Sequence, residues 1–490
     1  MPKRPAVRNL RWLNSLRALG VVLVLVYHAF PQALPGGFIG VDIFFVVSGY
    51  LITALLLKEQ HGEGRIHLIA FWVRRWRRLF PAMLAMVLLA LSLALAVSPD
   101  FRVDGLRQAA AALSWTTNYY EIASGGSYEA QLLPHLFIHT WTLAVEMQYY
   151  LVWALVVVLI SRVATVLRNK SKQGGGGGLT GGSPVQRPEL TVLAAAGLAL
   201  LLASYIYMNI SVSAGGDPSA AYMGTLSHAF PLMCGSVAAC IGGFSPRRRF
   251  VCIARLRWFK PVSLTLAALA AAAEVALSFL LDFDAASTYH WGILASALLT
   301  ALLILIAALW QEISEHKEWA VSNYLGIRSY SIYLFHWPLI VIARAWLQQV
   351  GVGRDLAPLL GGALAIPLTL AAAELCYRFV ESRFRIHRDK QLAREAGAFE
   401  IPHSRPDSGP LRATLQTTGK AANPADPQKV RRRGGTILLN IATALIGVAL
   451  AGLAVYALAT TPLYSSIEAR LDSGKMAIDV SNLPDPGGAS

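Results

Sequence analysis

The stretch LRALGVVLVLVYHAFPQALPGGFIGVDIFFVVSGYLIT, residues Leu16 to Thr53, decides the fold. It contains two apolar runs joined by a segment with proline and glycine, a pattern that predicts two membrane-spanning helices. Three ionisable residues interrupt these runs, namely Arg17, His28 and Asp42. Because ionisable side chains are costly inside a bilayer, each of the three is a candidate functional residue.

Arg17 and His28 are eleven positions apart, which corresponds to about three helical turns and about 16 Å along the axis. They therefore share one face of the first predicted helix. That face carries a cation near one membrane surface and a titratable imidazole deep in the other half of the bilayer. Asp42 is either a helix-start residue or the group that orients His28.

The composition extends the membrane prediction to the whole chain. Of its 490 residues, 55% are hydrophobic and 14% are charged, which is typical of a polytopic membrane protein. We predict an all-α helical bundle with a ten-span core and an eleventh transmembrane helix. The predicted spans are residues 13–31, 39–57, 79–98, 137–161, 190–211, 224–242, 261–281, 290–310, 322–347, 357–379 and 436–460.

Lysine and arginine residues are concentrated in alternate loops between these spans. With the N-terminus inside, the rich loops at 65–78, 162–187, 247–260 and 383–433 all fall on the cytoplasmic side, as the positive-inside rule requires. We therefore expect a multi-pass protein with its N-terminus inside and its C-terminus outside. The net charge of +15 is mainly topological, and nucleic-acid binding is disfavoured because the basic loops contain no recognisable binding module.

The loops also suggest domain boundaries. Residues 1–385 form the predicted ten-span membrane domain, which contains a Gly-rich cytoplasmic linker at 171–184. Residues 386–435 are polar, basic and proline-containing, and we predict a disordered cytoplasmic linker there. The eleventh helix, 436–460, is followed by a short extracytoplasmic tail at 461–490 that is too small to form a domain.

Four arginines, Arg74, Arg75, Arg77 and Arg78, cluster at the predicted cytoplasmic start of the third span, in FWVRRWRRLFP. The planar guanidinium group presents a fork of donors that suits phosphate oxygens. The alternative is a topology anchor whose side chains extend to lipid headgroups. The residues alone leave both possibilities open.

Among the other ionisable residues inside predicted spans, Glu146 and His336 are further candidates. Glu146 is either a buried carboxylate paired with a neighbouring helix or a functional group, and His336 is either a satisfied core histidine or a catalytic one. Together with His28, Asp42 and His139, they are possible metal ligands. No local spacing of ligands supports a metal site, so no metal is predicted.

These features together resemble the acyltransferase-3 family of bacterial membrane O-acyltransferases. The resemblance covers about residues 10–385 and is carried by Arg17-x10-His28, GGFIGVDIFFVVSGYLIT, Arg75-x-x-Arg78, HTWTLAVEMQYYLVW and YSIYLFHWP. It implies acetyl-CoA or another acyl-CoA as donor and a hydroxyl of an envelope carbohydrate such as peptidoglycan as acceptor. It also implies the bacterial cytoplasmic membrane as the location. Four residues match functional positions of the family, namely Arg17, His28, Arg75 and Arg78.

Two features depart from the family pattern. Many members carry an arginine three residues after a threonine in the sixth span, whereas here Thr225 is followed at that place by His228. Many relatives also add an external SGNH esterase-like domain after an eleventh span, and the tail here contains no Gly-Asp-Ser motif. Either a separate SGNH-type protein completes the transfer, or the membrane half acts alone, or the chain is a fragment.

In the leading hypothesis, Arg75 and Arg78 bind the CoA phosphates and the pantetheine arm passes Arg17. His28 then acts as the general base for an acceptor hydroxyl, a task that suits an imidazole near neutral pH.

The remaining assignments are less specific. Asp42 or Glu146 orients His28, as the third member of a hydrolytic triad does, and His336 is a further catalytic candidate. A covalent acyl-enzyme, on His28 or on a tyrosine, stays open. The alternatives to an enzyme are a transporter or flippase of a lipid-linked sugar, for which buried charges also serve, and a non-catalytic anchor.

Overall fold

The structure is a computed structural model. It describes residues 12–97, 105–125, 135–174, 188–213, 215, 218–242, 252, 254–313 and 319–383. Within these ranges the secondary structure is helical and contains no β-strand, which confirms the all-α prediction. The predicted linker at 386–435, the eleventh helix at 436–460, the tail at 461–490 and most of the Gly-rich linker lie outside the described residues.

Helices of very different length make up the bundle. The described α-helices are α1 Trp12–Ala29, α2 Gly40–Glu63, α3 Leu68–Val97, α4 Gly105–Leu113, α5 Thr117–Ala123, α6 Trp141–Gly174, α7 Pro188–Ser213, α8 Ser219–Met223, α9 Phe230–Gly242, α10 Phe259–Leu280, α11 Ile293–Ile313, α12 Ala320–Gln349 and α13 Ala357–Cys376. Short 3-10 turns at Gly37–Ile39 and Ile138–Thr140 precede α2 and α6, and π turns lie at Thr288–Gly292 and Tyr377–Glu381. Nine helical segments of the described chain are long and apolar enough to cross a membrane, so the protein is a multi-pass membrane protein.

The third and sixth spans differ from their predicted bounds. Helix α3 begins at Leu68, eleven residues before the predicted start at 79, so the arginine stretch is itself helical. Helix α9 begins at Phe230 and has 13 residues, because residues 224–229 form a turn rather than the first part of the span.

Helix α9 nevertheless crosses the bundle. Helices α1 and α12 run parallel, because Asn14 bonds Asn323 at 2.8 Å near their first turns and His28 approaches His336 at 3.2 Å near the end of α1. Successive spans alternate in direction, so an odd number of spans must lie between two parallel ones. Six long helices of the described chain lie between α1 and α12, and α9 supplies the seventh crossing.

Helix α2 begins deep in the bundle instead of level with the end of α1. The backbones of Gly20 and Gly40 are so close that a Cβ on Gly40 would lie 2.4 Å from the Gly20 carbonyl oxygen. Gly20 precedes His28 by eight residues, or about 12 Å along α1. Asp42, two positions further along α2, therefore lies nearly three helical turns below His28, which the length of the connecting segment could not reveal.

Helices α2 and α9 pack through a second glycine contact. A Cβ on Gly235 would lie 2.0 Å from the backbone oxygen of Val46. Backbone atoms cannot move aside as a flexible side chain can, so the two helices would have to separate. The Gly235→Ala variant should therefore lose at least the about 1–3 kcal/mol that is typical of overpacking.

Thermal unfolding in detergent tests this expectation, with Gly62→Ala as the control because a Cβ there meets nothing within 4 Å. We expect a clear fall in melting temperature, or loss of folded protein, for Gly235→Ala only. Equal melting temperatures for the two variants would contradict the close packing of α2 on α9.

Candidate active site

A cavity follows the first half of α2 and is also lined by α1, α3, α6 and α12. The space among its lining atoms is about 770 Å³, a volume that includes the open solvent at its mouth. Its α2 wall extends from Val41 to Ile52, eleven positions, or about 16 Å of helix axis. We call the end near Val41 the outer end, since it lies toward the end of α1 at Ala29.

The three arginines that were expected to bind a donor line this cavity together. Arg17 comes from α1, and Arg75 and Arg78 come from α3. Arg74 and Arg77 are exposed, and Arg74 pairs with Glu59 at 3.0 Å. Residues three apart share a helix face, so the four arginines form two pairs that point in different directions. The structure thus separates the side chains that line the cavity from those at the surface.

Glu146 lies in the same cavity. It belongs to the part of the lining that α6 supplies, and it accepts a hydrogen bond from the Ser48 hydroxyl of α2. Three guanidinium groups and one carboxylate leave the cavity with an excess of positive charge. Planar guanidinium groups bind phosphate and carboxylate oxygens through paired, charge-assisted hydrogen bonds, so the cavity suits an anionic ligand.

Three buried histidines, His28, His139 and His336, meet beyond the outer end of the cavity. The Nε2 atom of His336 lies 3.2 Å from Nδ1 of His28, and the ring centroids of His139 and His336 are 5.5 Å apart. We call this group the histidine cluster. The sequence had connected these residues only through a possible metal site.

Backbone carbonyls fix the tautomers of His28 and His336. The Nδ1 atom of His28 lies 2.9 Å from the Val24 oxygen, and Nδ1 of His336 lies 2.5 Å from the Tyr333 oxygen. A carbonyl oxygen can only accept, so both Nδ1 atoms carry the proton. The lone pair of neutral His336 therefore faces His28 Nδ1, and the lone pair of neutral His28 is on Nε2. A neutral imidazole in a fixed tautomer is suited to act as a general base.

A proline explains the position of His139. Pro338 lies inside α12 and has no backbone N–H, so the Leu334 carbonyl, four residues earlier, lacks its helical partner. His139 Nε2 donates to that carbonyl at 3.0 Å. The lone pair of His139 is therefore on Nδ1, an atom that is buried with no hydrogen-bond partner among the described residues.

Asp42 contacts a different histidine from the one it was expected to orient. Its Oδ1 atom lies 2.8 Å from Nε2 of His228, and both side chains are fully buried. His228 Nδ1 donates to the Tyr222 carbonyl at 2.6 Å, so a single proton is shared between Nε2 and the carboxylate. His228 occupies the position at which many members of the resembled family carry an arginine, and no sequence pattern predicts its pairing with Asp42.

The expected orienting group for His28 was Asp42 or Glu146. At Nδ1 of His28 the structure has the Val24 carbonyl, while Glu146 bonds Ser48 and Asp42 lies nearly three turns deeper. The catalytic roles of both carboxylates stay predictions.

Arg344 of α12 is a neighbour of His28 that the sequence analysis missed. Its Nη2 atom donates to the carbonyl oxygens of His28 and Ala29, at 2.8 and 2.9 Å. It thus satisfies the end of α1, where backbone acceptors lack helical partners. Gly361 provides the space, since a Cβ there would lie 2.6 Å from the Arg344 side chain. The signal was available, because an arginine inside a predicted span is a functional candidate.

Because Arg344 holds the backbone of His28, Arg344→Gln should lower turnover by about 10–100-fold, the value of about one hydrogen bond from a charged group. Lysine should restore part of the loss. In a His28→Ala background the same substitution should have almost no further effect, since it acts through His28. Transfer rates of the four proteins in this double-mutant cycle, with exposed Arg354→Gln as control, test the idea. Equal losses in both backgrounds would make Arg344 a general structural residue.

The metal-site alternative does not match the geometry. In the described part of the chain, three or more potential ligand atoms lie within 4.8 Å of one another only at Glu59, Glu63 and His67, near the end of α2. The histidine cluster and the two candidate carboxylates do not form such a group.

A family model described as an acyltransferase domain matches residues 10–378. The chain belongs to this acyltransferase family. The matched region includes the arginine-lined cavity and the histidine cluster, and it confirms the resemblance seen in the sequence.

Curated relatives show the same relationship. The chain is 30% identical over 390 residues to O-acetyltransferase OatA of Staphylococcus aureus strain NCTC 8325, covering 79% of this chain and 58% of the relative. It is 30% identical over 383 residues to peptidoglycan O-acetyltransferase OatA of Listeria monocytogenes, covering 76% and 55%. A putative O-acetyltransferase of S. aureus strain COL is 30% identical over 393 residues, covering 80% and 59%. The chain thus spans less than two thirds of the length of these relatives. No solved structure matches it significantly.

Proposed function

We propose that the protein is a membrane O-acetyltransferase. It transfers an acyl group, preferably acetyl, from acyl-CoA to a hydroxyl of an envelope glycan such as peptidoglycan. One observation carries this proposal: an arginine-lined cavity ends beside a histidine pair whose tautomers are fixed. The family membership and the names of the relatives support the reaction and the acceptor class.

The charge of the cavity supports acyl-CoA as the donor. CoA carries several phosphate groups, and Arg17, Arg75 and Arg78 line one cavity with an excess of positive charge. The cavity then continues for about 16 Å along α2, in the direction of the histidine cluster. A slender chain that ends in a thioester is suited to such a cavity.

The chemical step uses His28 as base. Its Nε2 lone pair takes the proton of the acceptor hydroxyl while the hydroxyl oxygen bonds to the thioester carbonyl carbon. The carbon–sulfur bond then breaks, and the leaving CoA takes a proton to become the free thiol. His336 and Arg344 hold the ring and the backbone of His28 during this step, which restricts it to a productive orientation.

The location of the two substrates follows from the expected topology. Lysine and arginine asymmetry supports a cytoplasmic N-terminus and arginine stretch, and an extracytoplasmic C-terminus, in the bacterial cytoplasmic membrane. Acyl-CoA would then enter from the cytoplasm and the glycan from outside. A separate SGNH-type esterase or transferase, which the family resemblance implies, is a candidate partner for the final transfer.

The test is acyl transfer by the purified protein in liposomes with labelled acetyl-CoA and soluble glycan fragments. We expect free CoA and labelled, base-labile ester on the acceptor. A flippase would move lipid-linked sugar without consuming the thioester, and an anchor would do neither, so either result would overturn the proposal. The His28→Gln protein is the matched control for spontaneous hydrolysis.

A further inference from the structure

The cavity and the histidine cluster are neighbours that are not connected. Of the described residues that line the cavity, none is a histidine. The outer end of the lining includes Thr142 of α6 and Tyr333 of α12. A thioester bound among the arginines therefore meets these two side chains before it can reach His28.

Tyr333 lies between the two regions. Its ring centroid is 6.2 Å from that of Phe44, a cavity residue, and 5.2 Å and 5.8 Å from those of His336 and His139. Its backbone carbonyl accepts the His336 Nδ1 proton. One face of the side chain thus belongs to the cavity and the other to the histidine cluster.

The hydroxyl holds the ring across this boundary. Tyr333 Oη lies 2.7 Å from Thr142 Oγ1 and donates to the His139 carbonyl at 2.7 Å. Both contacts are made by one hydroxyl at the tip of the side chain, so a rotation about χ1 would break them together. Displacing the ring therefore costs both hydrogen bonds, about 0.5–1.5 kcal/mol net each, in addition to its packing against Phe44, His139 and His336.

The far side of the boundary lacks a hydrogen-bond donor. His139 Nδ1 is buried, bears the lone pair of the ring, and has no partner among the residues that the structure describes. A buried acceptor without a donor costs about 1–3 kcal/mol. This cost would be recovered if a donor group of a substrate entered the cluster.

We propose that Tyr333 is the movable partition between the donor cavity and the histidine cluster, and that its ring determines which acyl groups pass. The inference rests on the proposed function. A limited displacement of the ring would open a passage for only a small acyl group such as acetyl. Space of this kind is selective, since one methylene that does not fit costs about 10–200-fold in specificity.

The partition is tested by transfer from acetyl-, propionyl- and butyryl-CoA to one glycan acceptor. Tyr333→Ala and Tyr333→Leu remove the ring, Tyr333→Trp enlarges it, and Tyr333→Phe removes only the hydroxyl. We expect the preference for acetyl over butyryl to fall by about tenfold or more in the Ala and Leu proteins. Tyr333→Trp should lower all transfer, while Tyr333→Phe should keep the wild-type preference. Tyr289→Phe, which removes a buried hydroxyl bonded to the Phe283 carbonyl, controls for the general loss of such a group.

The outcomes separate this inference from the function on which it rests. An unchanged acyl preference in Ala and Leu variants that melt like the wild type would overturn the partition, and so would folded Ala and Leu variants without any transfer. If the wild-type protein transfers no acyl group at all, the proposed function fails and the partition fails with it.

Discussion

Replacing His28 with alanine should lower acyl transfer by about 10²–10⁴-fold, the usual contribution of a general base. The loss would be larger if His28 also carried the acyl group. Glutamine should be nearly as inactive, because its amide keeps the size of the side chain but cannot take a proton. A histidine with a purely structural role would tolerate glutamine far better than alanine.

The measurement is the initial rate of transfer at matched amounts of folded protein between pH 5 and pH 9. His61→Gln is the control, since His61 lies in the last turn of α2 and is exposed. Transfer by His28→Gln at close to the wild-type rate would remove His28 from the chemistry.

The double variant Arg75→Gln/Arg78→Gln should raise the KM for acyl-CoA by about 10²-fold with a smaller effect on kcat. Hydrogen bonds to charged groups contribute about 1.5–3 kcal/mol each, and both side chains are half-buried, so the lower end of that range applies. Two such losses amount to about 3 kcal/mol, or about 10²-fold. Lysine at both positions should restore only part of the affinity, because an ammonium group cannot form the paired fork.

The chain contains its own control for this experiment. Arg74→Gln/Arg77→Gln removes the same charge from the same helix, but these side chains are exposed and do not line the cavity. We expect the acyl-CoA KM of this control to stay near that of the wild type. Similar KM values for the two double variants would mean that all four arginines serve topology alone.

Much of the architecture could be predicted from the sequence, because a bilayer imposes its own length and polarity on each span. The same physics made Arg17, His28 and His336 candidates, since ionisable residues in spans are rare unless they have a function, and their roles stay predictions. The split of the arginines into Arg75 and Arg78 on one side and Arg74 and Arg77 on the other follows from helical periodicity once α3 is known to include them.

The contacts between the buried ionisable side chains could not be predicted, because they depend on how deep each helix lies in the bundle. Asp42 seemed close to His28 along the chain, but the contact of Gly20 with Gly40 places α2 about two turns lower. Asp42 then meets His228, 186 positions away, and no local pattern encodes that distance.

The position of His139 depends on a similar tertiary detail. The Leu334 carbonyl that it contacts is available only because Pro338 lies one turn later in another helix. Arg344 is different, since its position inside a predicted span already marked it as a candidate. What the sequence could not show is that its guanidinium group bonds the backbone of His28.

Transfer across a sealed membrane tests the central claim most directly. Proteoliposomes would hold labelled acetyl-CoA inside, with a membrane-impermeant glycan acceptor outside, so that donor and acceptor never share a compartment. We predict labelled ester on the external acceptor for the wild-type protein and almost none for His28→Gln. An external acceptor that stays unlabelled, while acetyl-CoA inside remains intact, would contradict the claim that the arginine-lined cavity delivers an acyl group to the histidine cluster.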